Sequence, residues 1–349
     1  MKKSVILVLF GGVSSEYEVS LQSAYAVLTN LDTVRWVALP VGITREGRWF
    51  YYTGPLDALQ DDSWHRRVAD RHPCTLSLDR NRRELMVLDG TAASRTFDAA
   101  FPVLHGKNGE DGTLQGLLEL AGIPVIGCGT LASALCMDKV RAHQLVAAAG
   151  VRVPRSAAFC GLPQEDALFA AAQTLGYPLF VKPVRAGSSF GITRVTSEDQ
   201  LVAAAQQATA YDGEIVLEEE IPGFEVGCAV LGNEQLYTGQ VDEIELAGGF
   251  FDFEEKYTLK TSQIHCPARI SPKVAQQIQQ TAMQVYRILG CRAFARVDLF
   301  LTPAGEIVFN EVNTIPGFTS HSRYPNMMAK ADISFAQLLT RICELGVQA

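Results

Sequence analysis

The segment ARVDLFLTPAGEIVFNEVN, residues 295–313, constrains the fold most. Two β-rich runs flank a Pro-Ala-Gly turn, so the segment reads as a hairpin centred on Ala304 and Gly305. In that register Asp298 lies opposite Glu311 and Arg296 opposite Asn313. Strand alternation puts these four on one face, with Val297, Leu299, Val308 and Val312 on the other. Two opposed carboxylates repel unless a cation lies between them. An Asp, Glu and Asn oxygen set suits Mg²⁺, which also keeps waters and phosphate oxygens. A solvated sheet face, with Arg296 pairing its neighbours, is the plainer alternative.

The rest of the chain supplies an α/β frame for that hairpin. Ser4 to Phe10 reads as a continuous buried strand, followed by Gly11-Gly12 and a helix from about Glu16 to Leu28. Ser15 and Glu18 have capping-box spacing. The opening apolar run is too short for a signal peptide and lacks a cleavage signature. Nothing approaches the ~18 apolar residues of a membrane span. Residues 57–96 are polar and irregular, an insertion in a first α/β domain spanning 1–128. A central unit, 129–217, holds an Ala-rich helix from Asp138 closed by Gly150, and a hairpin YPLFVK/GITRVTS around a Gly-Ser tip. A third unit, 218–349, holds a loop at about 247–263, a helix from about Pro272 to Leu289, and the hairpin.

At 349 residues with 48% hydrophobic side chains, several packed units are expected. The net charge of −8 excludes a broad nucleic-acid or anionic-membrane surface, so anionic ligands must meet local cations. Eight scattered cysteines without zinc spacing point to reduced packing thiols and a cytoplasmic setting.

Lys139 and Lys182 are isolated cations in apolar context, and Gly187-Ser188-Ser189 offers backbone N–H groups and hydroxyls to a phosphate without P-loop spacing. Glu218 and Glu225 flank Ile221-Pro222, an edge able to offer backbone to a base and a carboxylate to a ribose. The loop GGFFDFEEKYTLKTSQ has the make-up of a lid, because its aromatic run is unfavourable in water.

These pieces, in this order, resemble the ATP-grasp fold. GGVSSEYEVS, PVLHGKNGEDGTLQG, MDK, VKPVRAGSSFG, EKY, RVDLF and NEVNTIPGFTSHS look like the signatures of the D-alanine-D-alanine ligases, across nearly the whole chain. The resemblance implies an ATP-dependent ligase forming a D-alanyl phosphate for peptidoglycan precursor synthesis, working as a homodimer. It implies that Lys139, Lys182 and Lys256 meet ATP phosphates and that Glu218, Glu219, Ile221 and Glu225 line the base and ribose. Asp298, Glu311 and Asn313 would bind two Mg²⁺ (or Mn²⁺). Glu16, with Ser188 and Tyr257, would hold the first substrate's ammonium, near His105. Arg296 and the backbone of Gly317 would stabilise the tetrahedral oxyanion, and Ser322 would take the second carboxylate. A non-catalytic nucleotide-binding module or a biotin-type carboxylase fits these segments less well.

One position departs from the plain ligase pattern, where a small or aliphatic residue follows the signature serine. Here it is Arg323. A guanidinium suits a methyl poorly, yet its hydrogen bond to a hydroxyl is worth roughly 1.5–3 kcal/mol. With HSRYPNMM and Phe251 ahead of EKY, the chain looks like the D-alanine-D-serine ligases of the G-type vancomycin-resistance clusters. D-serine is therefore the expected acceptor. If Arg323 turned outward instead, the product would be D-alanyl-D-alanine.

Overall fold

The strand Ser4–Gly11 is apolar without alternation because it is covered on both sides. Ile6, Val8 and Phe10 enter one core while Leu7 and Leu9 enter another. It pairs in parallel with Trp36–Ile43 and Ala99–Val103. The structure is a computed structural model that describes residues 3–187, 190–246 and 262–347. Ser188, Phe251, Lys256, Tyr257 and most of the expected lid lie outside the described residues.

The first sheet has seven strands and is mixed rather than purely parallel. Beyond Trp36–Ile43 it continues antiparallel through Trp49–Tyr52, Arg71–Leu76, Glu84–Val87 and Arg95–Thr96. The polar stretch 57–96, read as irregular, thus supplies three strands and several short 3₁₀ turns. Its short strands and charged residues concealed the alternation.

A four-stranded antiparallel sheet follows, in the order Thr193–Val195, Leu179–Pro183, Glu214–Glu219, Ser156–Cys160. The division placed between residues 217 and 218 falls inside one of these strands. The last sheet runs Ser262–His265, Asp242–Leu246, Phe224–Gly232, Phe294–Leu301, Ile307–Asn313. The helix Pro272–Ile288 packs Ile278, Ala282 and Val285 on it; Ser271 caps its start and proline takes the first turn. The C-terminal helix Phe335–Val347 returns to the first domain, sharing a core with Phe10, Phe101, Phe294 and Phe318. First and last sheets are therefore joined by one apolar body, which fixes the walls of the cleft between them.

Two local expectations fail for physical reasons. Ser15 does not cap the first helix, Tyr17–Asn30; Glu16 occupies the cap position without a side-chain cap bond. Glu18 instead reaches Arg45 at 2.6 Å. The hairpin turn is one residue longer than read, with Thr302 opposite Glu306 and Gly305 at φ 81. A bulge at Asn310 then restores the expected pairs Asp298/Glu311 and Arg296/Asn313. It also exchanges two side chains: Phe309, not Val308, joins Leu299 in the core.

Candidate active site

The cleft floor begins at the helix Lys139–Ala148, whose cap Asp138 accepts from Arg141 N at 3.0 Å. Its first residue, Lys139, donates to Ala186 O at 2.9 Å, and its Nζ stands 3.7 Å from Glu311. Facing it, Lys182 is bonded to Glu218, both nearly buried. Burial pushes the Glu218 carboxyl up, but the Lys182 and His143 charges outweigh it and hold the group low. Among the described residues Glu218 Oε1 is buried and accepts no hydrogen bond; His143 Nδ1 lies 3.5 Å away. His143 Nε2 donates to the bulge carbonyl of Asn310 at 2.7 Å. A buried acceptor beside two lysines suits a ligand that brings both an amino donor and phosphate oxygens, as an adenine nucleotide does. Ile221 lies in the turn after Glu214–Glu219, but the Glu219 side chain is taken by Arg155, at 2.6 and 2.9 Å.

On the last sheet Arg296 holds Asp298 bidentately, at 2.8 and 2.7 Å. Burial pulls its guanidinium down, yet the Asp298 charge leaves it raised and ionised. Asn313 Oδ1 accepts from Ile315 N at 3.1 Å. The oxygen set suits Mg²⁺ chemically, and the register puts it on one face. The carboxylates are nonetheless turned to separate cations, and no group of three His, Cys, Asp or Glu converges in ligand geometry among the described residues. Arg323 is also drawn in. It is buried, bidentate to Asp242 at 2.8 and 2.7 Å, bonded to Glu225 at 2.8 Å, and 3.4 Å from Asp298. It fits because position 227 is glycine; a Cβ there would stand 2.3 Å from Nη2.

The opposite wall comes from the first domain. Glu16 is buried, and its Oε2 is so close to the backbone that a Cβ at Gly106 would meet it at 2.7 Å and one at Gly187 at 3.2 Å. His105 Nε2 faces Ser23 Oγ at 3.2 Å, and burial pushes its pKa down towards the neutral ring. Ser23 Oγ accepts from Phe318 N at 3.2 Å, which orders the loop carrying Gly317. Ser322 Oγ packs on Gly317 and accepts from Thr319 N at 3.0 Å. Glu110 accepts from Gly106 N at 2.6 Å and faces Ile315 N at 3.4 Å, tying that loop to the first domain.

Two family models match the chain: the D-ala D-ala ligase N-terminus over residues 5–128 and the D-ala D-ala ligase C-terminus over 145–344. The chain belongs to the D-alanine-D-alanine ligase family. The VanG D-Ala:D-Ser ligase from Enterococcus faecalis is 54% identical, covering 99% of both chains with a TM-score of 0.92. Vancomycin B-type resistance protein VanB of the same organism is 44% identical over all of both chains. The D-alanine-D-alanine ligase of Caldicellulosiruptor bescii is 40% identical, over 100% of this chain and 96% of its own.

As a member of this family the protein is an ATP-grasp ligase that uses ATP and acts on D-amino acids. No described helix is long and apolar enough to cross a membrane. None of the eight cysteines forms a disulfide. The structure brings Lys139, Lys182, Glu218 and Glu311 together at one end of the cleft, and Arg296, Asp298, Glu225 and Arg323 along its sheet. Glu16, His105, Gly317 and Ser322 line the far wall. Sequence reasoning missed Asp242, Gly227, Glu110 and His143. Only Glu110 carried a signal, inside the GEDG segment already singled out.

Proposed function

We propose that this ligase joins D-alanine to D-serine through a D-alanyl phosphate, building an altered cell-wall precursor of the kind linked to vancomycin resistance. The observation that carries the acceptor assignment is the inward, buried placement of Arg323, directly after Ser322. Three of its donor contacts are committed to Asp242 and Glu225, and arginine has further N–H groups to offer a hydroxyl. The similarity to the VanG D-Ala:D-Ser ligase supports the reading. Overall identity discriminates less, because a D-alanine-D-alanine ligase is 40% identical as well.

On this reading Glu16, with Ser188 and Tyr257, binds the ammonium of the first D-alanine. A carboxylate oxygen of that substrate attacks the γ-phosphorus of ATP, and the bond to the β-phosphate oxygen breaks to release ADP. Lys139, Lys182 and Lys256 balance phosphate charge, while Glu218, Glu219, Ile221 and Glu225 line the base and ribose. Glu219 would act there through its backbone, since its carboxylate is held by Arg155. Asp298, Glu311 and Asn313 would hold Mg²⁺ or Mn²⁺, which supplies charge neutralisation at the phosphates. Ser322 takes the acceptor carboxylate, and Arg323 with Phe251 selects its side chain. The acceptor amine attacks the acyl carbon, Arg296 and the Gly317 N–H stabilise the oxyanion, and phosphate leaves as the amine loses a proton. The reading carries a cytoplasmic homodimer with it.

The second reading is a housekeeping ligase making D-alanyl-D-alanine. It is favoured by the ion pairs of Arg323 with Glu225, Asp242 and Asp298, which give the guanidinium charge partners without any ligand. The test is ADP release with D-alanine and either D-serine, D-alanine or D-lactate, with products identified by mass. Mainly D-alanyl-D-serine supports the first reading, and mainly D-alanyl-D-alanine replaces it with the second.

A further inference from the structure

The strand Ile307–Asn313 is the edge of the last sheet and pairs on one side only, with Phe294–Leu301. From Ile307 to Phe309 it keeps one register, with Leu299 opposite Phe309; from Glu311 it keeps another, with Asp298 opposite Glu311. Asn310 is the extra residue between them and has no opposite number in the ladder. The acidic face depends on this bulge. Continued without it, the first register would set Asn310 opposite Asp298 and Glu311 opposite Val297, turning Glu311 and Asn313 to the side of the buried Val297.

A helix meets the bulge from outside the ladder. Lys139 and His143 are one turn apart on the helix Lys139–Ala148 and share a face. Lys139 Nζ lies 3.7 Å from Glu311 Oε2, and His143 Nε2 lies 2.7 Å from the Asn310 carbonyl oxygen. A carbonyl can only accept, so Nε2 carries the proton. The His143 ring is 4% exposed and edge-on to Phe309, with centroids 5.4 Å apart. Just past the helix, Arg152 O accepts from Phe309 N at 2.8 Å. Phe309 and Asn310, where the register changes, are thus each bonded to the segment 139–152.

An edge strand benefits from that hold, because one ladder rather than two fixes its register. A slip that removed the bulge would regain regular pairing with Phe294–Leu301. It would also carry the Asn310 carbonyl away from His143 and leave a buried imidazole N–H without its acceptor. The second ring nitrogen, Nδ1, faces Glu218 Oε1 at 3.5 Å, so the same side chain also stands at the nucleotide end of the cleft.

We propose that His143 is a positioning residue: its bond to the Asn310 carbonyl holds the bulge, and with it the register that brings Glu311 and Asn313 beside Asp298 for a divalent cation. The inference rests on the assignment of those three residues to Mg²⁺ or Mn²⁺. His143 acts through the strand backbone, so its consequence is selective. Losing the bond to Asn310 weakens metal binding and spares the nucleotide contacts of the lysines.

The experiment measures Mn²⁺ binding to the full chain at saturating ADP, from the electron paramagnetic resonance signal of the free ion. His143→Gln keeps an amide N–H where Nε2 stood. His143→Asn puts it where Nδ1 stood, towards Glu218 and short of Asn310. The Asn variant is expected to bind Mn²⁺ about tenfold more weakly, as is usual when support one step behind a metal ligand is lost, and the Gln variant to bind it like the parent. ADP affinity without divalent cation stays parental in both. Parental Mn²⁺ affinity in the Asn variant, an equal loss in both variants, or a matching loss of ADP affinity overturns the proposal. Should the Asn variant not fold, the Gln variant decides, and weaker Mn²⁺ binding there overturns it. Glu311→Gln separates the two claims. If it keeps the parental Mn²⁺ affinity, the metal assignment itself fails; if it weakens binding while His143→Asn behaves as parent, only the positioning role fails.

Discussion

The guanidinium of Arg323 lies flat against the carboxylate of Asp242, with Nε 2.8 Å and Nη2 2.7 Å from its two oxygens. Asp242 also accepts from Gly227 N at 3.0 Å, so the acid is fixed to the sheet and the arginine to the acid. Asp242→Asn would turn an amide donor towards a guanidinium donor and break the fork. On the D-serine reading, the D-serine to D-alanine product ratio falls about tenfold, the worth of one charge-assisted hydrogen bond. Competition between equal concentrations of the two acceptors measures it. An unchanged ratio would mean that Arg323 does not need this hold to select.

Gly227 tests the same arrangement from below. An added methyl would stand 2.3 Å from Arg323 Nη2 and 2.7 Å from Asp242 Oδ1. Gly227→Ala must therefore lift the guanidinium off the strand. The expected outcome is loss of D-serine preference with D-alanyl-D-alanine formation retained, read from the same competition. Overpacking of this kind costs about 1–3 kcal/mol, so Tm should fall as well.

Elements whose cause is local were legible in the sequence, and those whose cause lies across the fold were not. The pairing of Asp298 with Glu311 came out as expected only because the extra turn residue and the Asn310 bulge cancel, while the pairs between them do not keep the expected register. The helix start near Asp138 and the Gly150 stop were legible in the local pattern, and the structure adds that Asp138 is the cap. Ser15 and Glu18 misled because Arg45, distant in sequence, offers Glu18 a charge. Asp242 gave no signal because an acid on a strand looks like any solvated acid until Arg323 is folded onto it. The direction of Arg323, inward onto acidic side chains, likewise belongs to tertiary structure.

Removing Lys182 should expose how the nucleotide end is balanced. Lys182→Met leaves Glu218, 1% exposed, without its main counter-charge. Breaking a buried pair by deleting one partner costs about 3–5 kcal/mol. In the parent the Glu218 carboxyl is held low, so its stabilising contribution is present above the ordinary carboxylate range and is lost as pH falls through the folded value. In the variant burial dominates and the carboxyl takes up a proton more readily. Thermal denaturation should therefore show a Tm deficit at neutral pH that shrinks on acidification, with ATP-dependent turnover abolished. A deficit independent of pH would mean that the lost lysine packing, rather than the stranded charge, is responsible.

Glu110 is predicted to act in the opposite sense. Burial first, and then the Glu16 charge, push its carboxyl from the ordinary 4.5 up to about 8. Between those two values the folded chain keeps a proton that the unfolded chain has released. Stability must fall as pH rises through this window and level off above it. Glu110→Gln keeps a neutral side chain in place, so the variant should gain on the parent steadily across the window. One of its two backbone donors, Gly106 N or Ile315 N, then meets an amide nitrogen, a pH-independent loss of about 1 kcal/mol. The two effects separate in Tm measured against pH, because one changes the slope and the other only the offset. Glu16→Gln, by removing the neighbouring charge, should shift the parental slope to lower pH without abolishing it. Parallel curves for the parent and Glu110→Gln would mean that Glu110 is ionised in the folded chain and that its two backbone donors outweigh its burial.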